Sequence, residues 1–523
     1  MNKLFDETSF FRLWPFTISP DKPVMPTSRM VMITRVGLAC LLSLGLSAGV
    51  IRAGDSEASL ADAAERREGA KVRALLNRDA DVNAVQVDGM TALHWATYHD
   101  DTDTAKLLIR EGADVNAKNR YGVPSLQLAC LNGNGKLVES LLSAGADPHI
   151  KLSGGQTILM TAARTGRVRP IEALIAAGAD VDEKEDHGQT ALMWAAADGH
   201  AEVVQALIHA EGDFQTPLGS GFTPLFFAVR EGHTEVAKVL LDAGADVNEE
   251  FKPKSGNRRD RSTPLIFAVE NAHFETAKAL LEAGADPNAA PAGYTALHAI
   301  TSVRRPLRGD TGPAPIGSGK ISSLDFVSIL LQSGADIDAR YGQNAGRGGF
   351  YNGGRAQFAS GGSTTLLLAA RNSDLPLLRL LLDSGADWRI PNADNCTALL
   401  AAAGVGALGS GDELPGSDDE AIETVQMFLE LGSDINAVTD TGETAVHGAA
   451  YQERPRLIEF LVDHGSDIRL WNRKNNFGWT PLMIAQGHRP GNFRLSPETV
   501  VAVEKVMGAA GVEIPPSQSS VED

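Results

Sequence analysis

A short phrase, Gly-Ala-Asp, returns along this chain at a nearly fixed interval. It stands at Gly112-Ala113-Asp114-Val115-Asn116, Gly145-Ala146-Asp147, Gly178-Ala179-Asp180, Gly244-Ala245-Asp246-Val247-Asn248 and Gly284-Ala285-Asp286-Pro287-Asn288. Further copies begin at Gly334, Gly385, Gly432 and Gly465, with a degenerate one at Gly212. The first glycines follow one another at steps of 33, 33, 34 and 32 residues. A fixed period of this length describes stacked supersecondary units rather than one globular core, because no single unit can bury its own apolar face.

Upstream of each copy lies a second phrase. Examples are Gly89-Met90-Thr91-Ala92-Leu93-His94, Gly188-Gln189-Thr190-Ala191-Leu192-Met193, Gly221-Phe222-Thr223-Pro224-Leu225, Gly293-Tyr294-Thr295-Ala296-Leu297-His298, Gly442-Glu443-Thr444-Ala445-Val446-His447 and Gly478-Trp479-Thr480-Pro481-Leu482. Glycine admits the positive φ of a turn, threonine caps the helix that follows, and proline suits its first turn. A second helix then carries apolar residues at helical spacing, as in Val203, Val204, Leu207 and Ile208, or Val236, Val239, Leu240 and Leu241. The glycine of Gly-Ala-Asp falls just past its end, where a left-handed cap needs it. The expected fold class is an all-α repeat solenoid of stacked helix-turn-helix units.

These units resemble ankyrin repeats, whose pattern runs Thr-Pro-Leu-His-x-Ala-Ala, Gly-His, Leu-Leu, Gly-Ala-Asp-Val-Asn. The resemblance covers roughly residues 56–509 and about twelve units. The first unit, Leu60 to Asn83, lacks the Thr-x-Leu-His phrase and resembles an N-terminal cap. The resemblance implies a right-handed superhelix with a concave face of inner helices and fingers. It implies protein binding through variable surface residues, no cofactor and no catalytic residues.

Net charge is −19, from 47 basic and 66 acidic residues. That balance disfavours a phosphate backbone, so nucleic acid is not expected as a partner. Three cysteines in 523 residues do not make a disulfide scaffold; Cys130 reads as a small buried apolar residue, Cys396 precedes Thr397 at a helix start, and the two lie too many repeats apart to pair. Near the N-terminus, Arg29 and Arg35 precede an apolar run from Val36 to Ile51, followed by Ala53-Gly54-Asp55. Residues 1–53 therefore read as a leader with a secretory signal, cut between about Gly49 and Gly54, and the product as a bacterial-type exported protein of the periplasm or exterior. An uncleaved membrane anchor is the alternative. The run is short for a span, and residues 1–28, with Phe10, Phe11, Trp14 and Phe16, depart from the signal pattern. Initiation at Met30 or Met32 would give a conventional signal peptide.

After Gly244 the steps lengthen to 40, 50, 51 and 47 residues before returning to 33. The excess defines four insertions, at about 249–261, 302–320, 341–362 and 404–420, and a disordered tail is expected at 510–523. The first holds Lys252, Lys254, Arg258, Arg259 and Arg261, and the second Arg304, Arg305 and Arg308. The third is glycine-rich, with Arg347, Phe350, Tyr351, Arg355 and Phe358; the fourth is acidic, with Asp412, Glu413, Asp418, Asp419 and Glu420. Such loops are either solvated decoration or contact elements. Gly404-Val405-Gly406-Ala407-Leu408-Gly409 has dinucleotide-binding spacing but follows a helix, not a strand. His94, His298 and His447 hold one repeat position, and in the family this histidine orders the turn. His200, His233 and His273, each two residues before a glutamate, read as helix-start residues.

The expected function is a non-catalytic protein-interaction scaffold, monomeric, touching a membrane only through an uncleaved N-terminal segment. A membrane-anchored cytoplasmic adaptor and an enzyme with its site in the insertions are the competing readings. Candidate contact residues on fingers are Val87, Asp88, Met90, Arg120, Tyr121, Gln189, Phe222, Tyr294, Glu443, Phe477 and Trp479. On inner helices they are Trp95, Tyr98, Trp194, Arg230 and Tyr451, and in the third insertion Arg347, Phe350, Tyr351 and Arg355. No metal, cofactor or catalytic residues are expected.

Overall fold

A computed structural model describes residues 59–253, 256, 261–306, 315–342, 361–406, 416–488 and 495–514. Among these residues the chain forms twelve helix pairs, numbered here as repeats 1 to 12, and no named strand. They fall into two compact bodies, one ending at Val247 and the other beginning at Asn248. Repeats 1 to 6 start with the helices Ser59–Glu65, Ala92–Tyr98, Ser125–Leu131, Ile158–Ala163, Ala191–Ala197 and Pro224–Glu231. Repeats 7 to 12 start with Pro264–Glu270, Ala296–Arg304, Thr365–Arg371, Ala398–Ala403, Ala445–Tyr451 and Pro481–Ala485. The leader, most of the third insertion and residues 515–523 lie outside the described residues, as do Arg347, Phe350, Tyr351 and Arg355. No described helix is long and apolar enough to cross a membrane.

The repeated threonine starts most inner helices as its chemistry requires. Thr91, Thr157, Thr190, Thr223, Thr263, Thr364, Thr397 and Thr480 each accept the backbone N–H three residues on. Pro224, Pro264 and Pro481 occupy the first helical turn. The leucines of both helices form the core: Leu93, Leu126, Leu174, Leu207 and Leu240 in the first body, and Leu280, Leu330, Leu378 and Leu461 in the second, are wholly buried.

The outer helices begin in two ways. Asp101, Asn134 and Asp374 cap theirs through side-chain oxygens, whereas His200 and His233 stand at the cap and do not cap. Their Nε2–H groups donate to Arg164 O at 2.9 Å and Ala197 O at 3.0 Å, carbonyls of the preceding repeat. They stand at the helix start, as the sequence reading has it, and tie their repeat to the preceding one instead of capping.

The asparagine of Gly-Ala-Asp-Val-Asn is another such tie. Asn116 Nδ2 donates to Gly145 O at 2.9 Å, and its Oδ1 accepts Asp147 N at 2.8 Å. Asn288 does the same with Gly334 O and Asp336 N, and Asn436 with Gly465 O and Asp467 N. Where aspartate replaces asparagine, at Asp182 and Asp338, the accepting half survives through Asp213 N and Asp387 N.

The uneven 34- and 32-residue steps around Gly212 have a local cause. The left-handed position in that repeat is Glu211, at φ 63°, and not the glycine after it. Counted from Glu211, the steps from Gly178 and to Gly244 are both 33 (211 − 178 and 244 − 211). A side chain in this conformation is strained, and glycine there relieves the strain at some cost in unfolded-state entropy. Glu211→Gly is expected to stabilise the first body by about 0.5–1 kcal/mol. A urea midpoint equal to or below wild type would count against this.

The described parts of the second and fourth insertions are held by specific contacts. In the second, Arg304 ends the inner helix of repeat 8 and forms a two-pronged ion pair with Asp374 at 2.7 and 2.8 Å. Farther along, Ser318 Oγ meets His273 Nδ1 at 2.9 Å, and Ile321 N donates to Glu275 at 2.8 Å, so this segment folds against repeat 7. In the fourth, Ser417 and Glu420 form a capping box and Asp418, Asp419 and Glu420 are the first turn of the helix Asp418–Glu430. Gly404, which opens this insertion, is left-handed at φ 102°, and a Cβ there would lie 2.9 Å from Gly448 O. In the first insertion, Phe251 is buried, bridges Ser262, and packs on Phe267 with ring centroids 6.4 Å apart.

Candidate interaction surface

The fingers are short turns stabilised from within. Five residues before the inner-helix cap, a polar side chain accepts finger N–H groups. Asn119 accepts Tyr121 N and Val123 N, Glu185 accepts Gln189 N, Asn392 accepts Asp394 N and Cys396 N, and Asn475 accepts Phe477 N and Trp479 N. This periodic polar position is legible in the sequence, and the candidate list above missed it.

Neighbouring fingers are joined through their backbones. In the first body Arg120 N donates to Asp88 O at 2.8 Å and Asp186 N to Gly154 O at 3.0 Å. In the second body Gly342 N donates to Gly293 O, Ala393 N to Gly361 O, Asp440 N to Asp394 O and Asn476 N to Thr441 O. Gly89 lies under the first of these ties: a Cβ there would stand 2.9 Å from Arg120 N.

On this frame some candidate side chains point outward and others do not. Val87 is 99 % exposed and Tyr121 54 %, with Arg120 exposed beside them. Arg120 Nη2 donates to Tyr121 Oη at 2.9 Å, and its guanidinium lies over that ring. Asp88, Tyr98, Gln189, Trp194, Arg230, Tyr294, Phe477 and Trp479 are half-buried. Met90 at 8 %, Phe222 at 5 % and Tyr451 at 2 % exposure are buried, and so are Trp95 and Glu443. These five pack inside their bodies and do not belong to the contact surface. The cause is register: Phe222 lies against Phe226 and Phe227, and Tyr451 against its neighbouring finger.

The inner helices present two aromatic groupings in the first body. Trp95, Tyr98 and His99 pack together with ring centroids 5.2–5.8 Å apart, and Trp95 Nε1 donates to Gln86 Oε1 at 2.6 Å. Trp194 lies under the Arg164 guanidinium, which also pairs with Asp198 at 3.2 Å. In the second body, Phe477 stacks on Trp479 at 5.6 Å and Tyr294 on Tyr341 at 5.8 Å.

The titratable groups along this face serve structure. His94, His298 and His447 are buried, and burial lowers their pKa, for His447 to about 4. Each Nδ1 accepts from its threonine cap, and each Nε2–H donates to the next finger, at Val123 O, Ser363 O and Arg473 O. Both nitrogens are engaged, so these rings hold turns and have none left for a metal. Burial pushes the thiols of Cys130 and Cys396 up, and both cysteines are free. Among the described residues no group of three or more His, Cys, Asp or Glu is placed to hold a metal ion. Glu443 is buried with Tyr451, Thr441 and Asn475 as partners, and burial raises its carboxyl.

Glu270 gives the face a measurable pH response. Tyr294 Oη donates to its carboxylate at 2.5 Å, yet burial dominates and pushes the carboxyl from 4.5 up to about 7. Between those values the folded chain holds a proton that the unfolded chain has lost. This contribution to stability is therefore complete below the unfolded pKa and is lost as pH rises through 7. Glu270→Gln retains a partner for Tyr294 and removes the titration. Its stability relative to wild type is expected to rise by about 1–2 kcal/mol from pH 5 to pH 8. A difference in urea midpoint that stays constant over that range would refute the assignment.

The comparisons with known proteins agree with this architecture. A family model described as ankyrin repeats (3 copies) matches residues 37–119, 60–151, 126–217, 159–251 and 417–493, and a second, ankyrin repeats (many copies), matches 225–281. The Neurogenic locus Notch protein of Drosophila melanogaster is 34 % identical over 88 residues, 17 % of this chain and 3 % of that protein. The B-cell lymphoma 3 protein homolog of Mus musculus is 28 % identical over 152 residues, 24 % of this chain and 33 % of that protein. The Notch-regulated ankyrin repeat-containing protein of Homo sapiens is 33 % identical over 76 residues, 14 % of this chain and 64 % of that protein. In each case the match spans less than two thirds of the relative. The human ASB11 ankyrin repeat domain aligns with 44 % of this chain and 99 % of its own, at 25 % identity and a TM-score of 0.38. Ankyrin repeats form a protein–protein interaction domain, and the matched segments include the inner helices of repeats 1 to 7, 11 and 12. With its capped inner helices, asparagine ties and joined fingers, the chain belongs to the ankyrin repeat family.

Proposed function

We propose that this protein is a non-catalytic scaffold that binds another protein in the cell envelope after export. The observation that carries the binding reading is the exposed group Val87, Arg120 and Tyr121 on fingers tied by the backbone bond from Arg120 N to Asp88 O. Apolar, aromatic and arginine side chains held on a rigid frame lose little entropy on binding, which favours a contact role. The half-buried Tyr98, Trp194, Arg230, Tyr294, Phe477 and Trp479 extend the candidate surface. The export reading rests on the arginine-flanked apolar run from Val36 to Ile51 and its small-residue end. If that run stays uncleaved, the same scaffold is a membrane-anchored adaptor.

The binding test is a paired one. A photo-crosslinker placed at residue 121 identifies the protein it touches in envelope extracts. Val87→Asp with Tyr121→Ala is then expected to weaken binding of that protein at least about tenfold and to leave the melting temperature within a degree or two. Unchanged affinity would remove these fingers from the contact surface. For the address, the mature chain is expected to begin between about Gly49 and Gly54, and recovery of intact residues 1–40 from the natural protein would refute a cleaved signal.

A further inference from the structure

Repeats in a stack touch only their neighbours, so their stability is close to a sum over adjacent interfaces. One contact in the second body departs from that rule. Arg305, just past the inner helix of repeat 8, sends Nη1 and Nη2 to the two carboxylate oxygens of Glu420 at 3.1 and 2.5 Å. Glu420 belongs to the outer helix of repeat 10. Repeat 9 lies between and is caught in the same joint: Asn372 Nδ2 donates to Arg305 O at 3.3 Å, and Arg305 Nη1 to Asn372 O at 3.4 Å. Gly416 marks how closely the three repeats meet. A Cβ there would lie 3.3 Å from Arg305 Nη1, 3.3 Å from Ser373 Cβ and 3.2 Å from Glu420 Oε2.

Both partners come from insertions. Arg305 opens the one that separates the helices of repeat 8, and Glu420 closes the acidic one in repeat 10. The helix Asp418–Glu430 has 13 residues, whereas its counterpart Leu375–Asp383 in repeat 9 has nine. The added N-terminal turn is what brings Glu420 within reach. Shorter-range pairs run alongside: Arg304–Asp374 joins repeats 8 and 9, and Arg379–Glu423 joins repeats 9 and 10. The Arg305 guanidinium also holds the Glu420 carboxyl below its usual range, so the charges are present at neutral pH.

We propose that repeats 8, 9 and 10 open as one cooperative block, latched by the Arg305–Glu420 pair across repeat 9, rather than one repeat at a time. Basic and acidic insertions of opposite sign are then two halves of one device, which explains why each sits at the helix-hairpin edge of its repeat.

Hydrogen exchange read by mass spectrometry on the full chain tests this. In wild type, the inner helices Ala296–Arg304, Thr365–Arg371 and Ala398–Ala403 are expected to exchange at rates within about twofold of one another. Glu420→Gln keeps the capping box, since glutamine also returns to the Ser417 N–H, and removes the charge. It is expected to speed exchange in Ala296–Arg304, two repeats away, about fivefold. Arg305→Gln should speed exchange in Asp418–Glu430 to the same degree, the double variant should add nothing further, and 1 M salt should mimic either one. Glu423→Gln breaks the Arg379 pair, whose side chains are 63 % and 53 % exposed and so contribute little, and should change exchange in Ala296–Arg304 by less than about twofold. The proposal is overturned if the three wild-type helices exchange at widely different rates. Loosening by Glu420→Gln confined to repeat 10, or additive effects in the double variant, would overturn it as well.

Discussion

Asp374→Ala is expected to destabilise the second body by about 3–5 kcal/mol, the cost typical of breaking a buried ion pair from one side. The carboxylate is 1 % exposed and takes both prongs of Arg304, at 2.7 and 2.8 Å, from the preceding repeat. The same side chain caps the helix Leu375–Asp383 by accepting Leu377 N at 3.3 Å. Alanine removes the cap and leaves the guanidinium with Ser323 Oγ as its remaining side-chain partner among the described contacts. Asp374→Asn keeps a capping oxygen and removes the charge, so its loss should be clearly smaller. Urea unfolding of both variants separates the two contributions, and equal losses would mean that the cap contributes nothing.

Leu240→Ala is expected to lower the stability of the first body by about 2–5 kcal/mol, and Leu241→Ala by less than about 1.5 kcal/mol. The sequence presents the two leucines as equals, yet only Leu240 is fully buried; Leu241 is partly exposed. A stacked architecture localises the damage. Exchange should rise first in repeat 6, whose outer helix spans Thr234–Asp242, and then in repeat 5. Equal losses from the two substitutions would contradict the burial assignment.

The fold was largely legible because its signals are local and repeated. Threonine caps, left-handed glycines and leucine spacing recur in nearly every unit, and each states its own physical reason. Where a repeat departs from the pattern, the reading slipped. Gly212 looks like the missing glycine, but the backbone turns one residue earlier, at Glu211. The contact surface was less legible, because a finger residue's exposure depends on whether its side chain leans outward or back onto the inner helices. Val87 and Phe222 are both apolar finger residues, and one is fully exposed while the other is buried. The link between two charged insertions was not legible for a different reason. Arg305 and Glu420 are 115 residues apart, and nothing in either segment names its partner.

In the first body the ties from Arg120 N to Asp88 O and from Asp186 N to Gly154 O run from one main chain to the next, so side-chain identity at those tips does not enter them. Positions such as Val87, Arg120 and Tyr121 can therefore exchange residues freely without disturbing how the turns are registered. A surface built this way separates inheritance of the scaffold from adaptation of its binding preference: drift at the tips retargets the molecule while every repeat keeps its place.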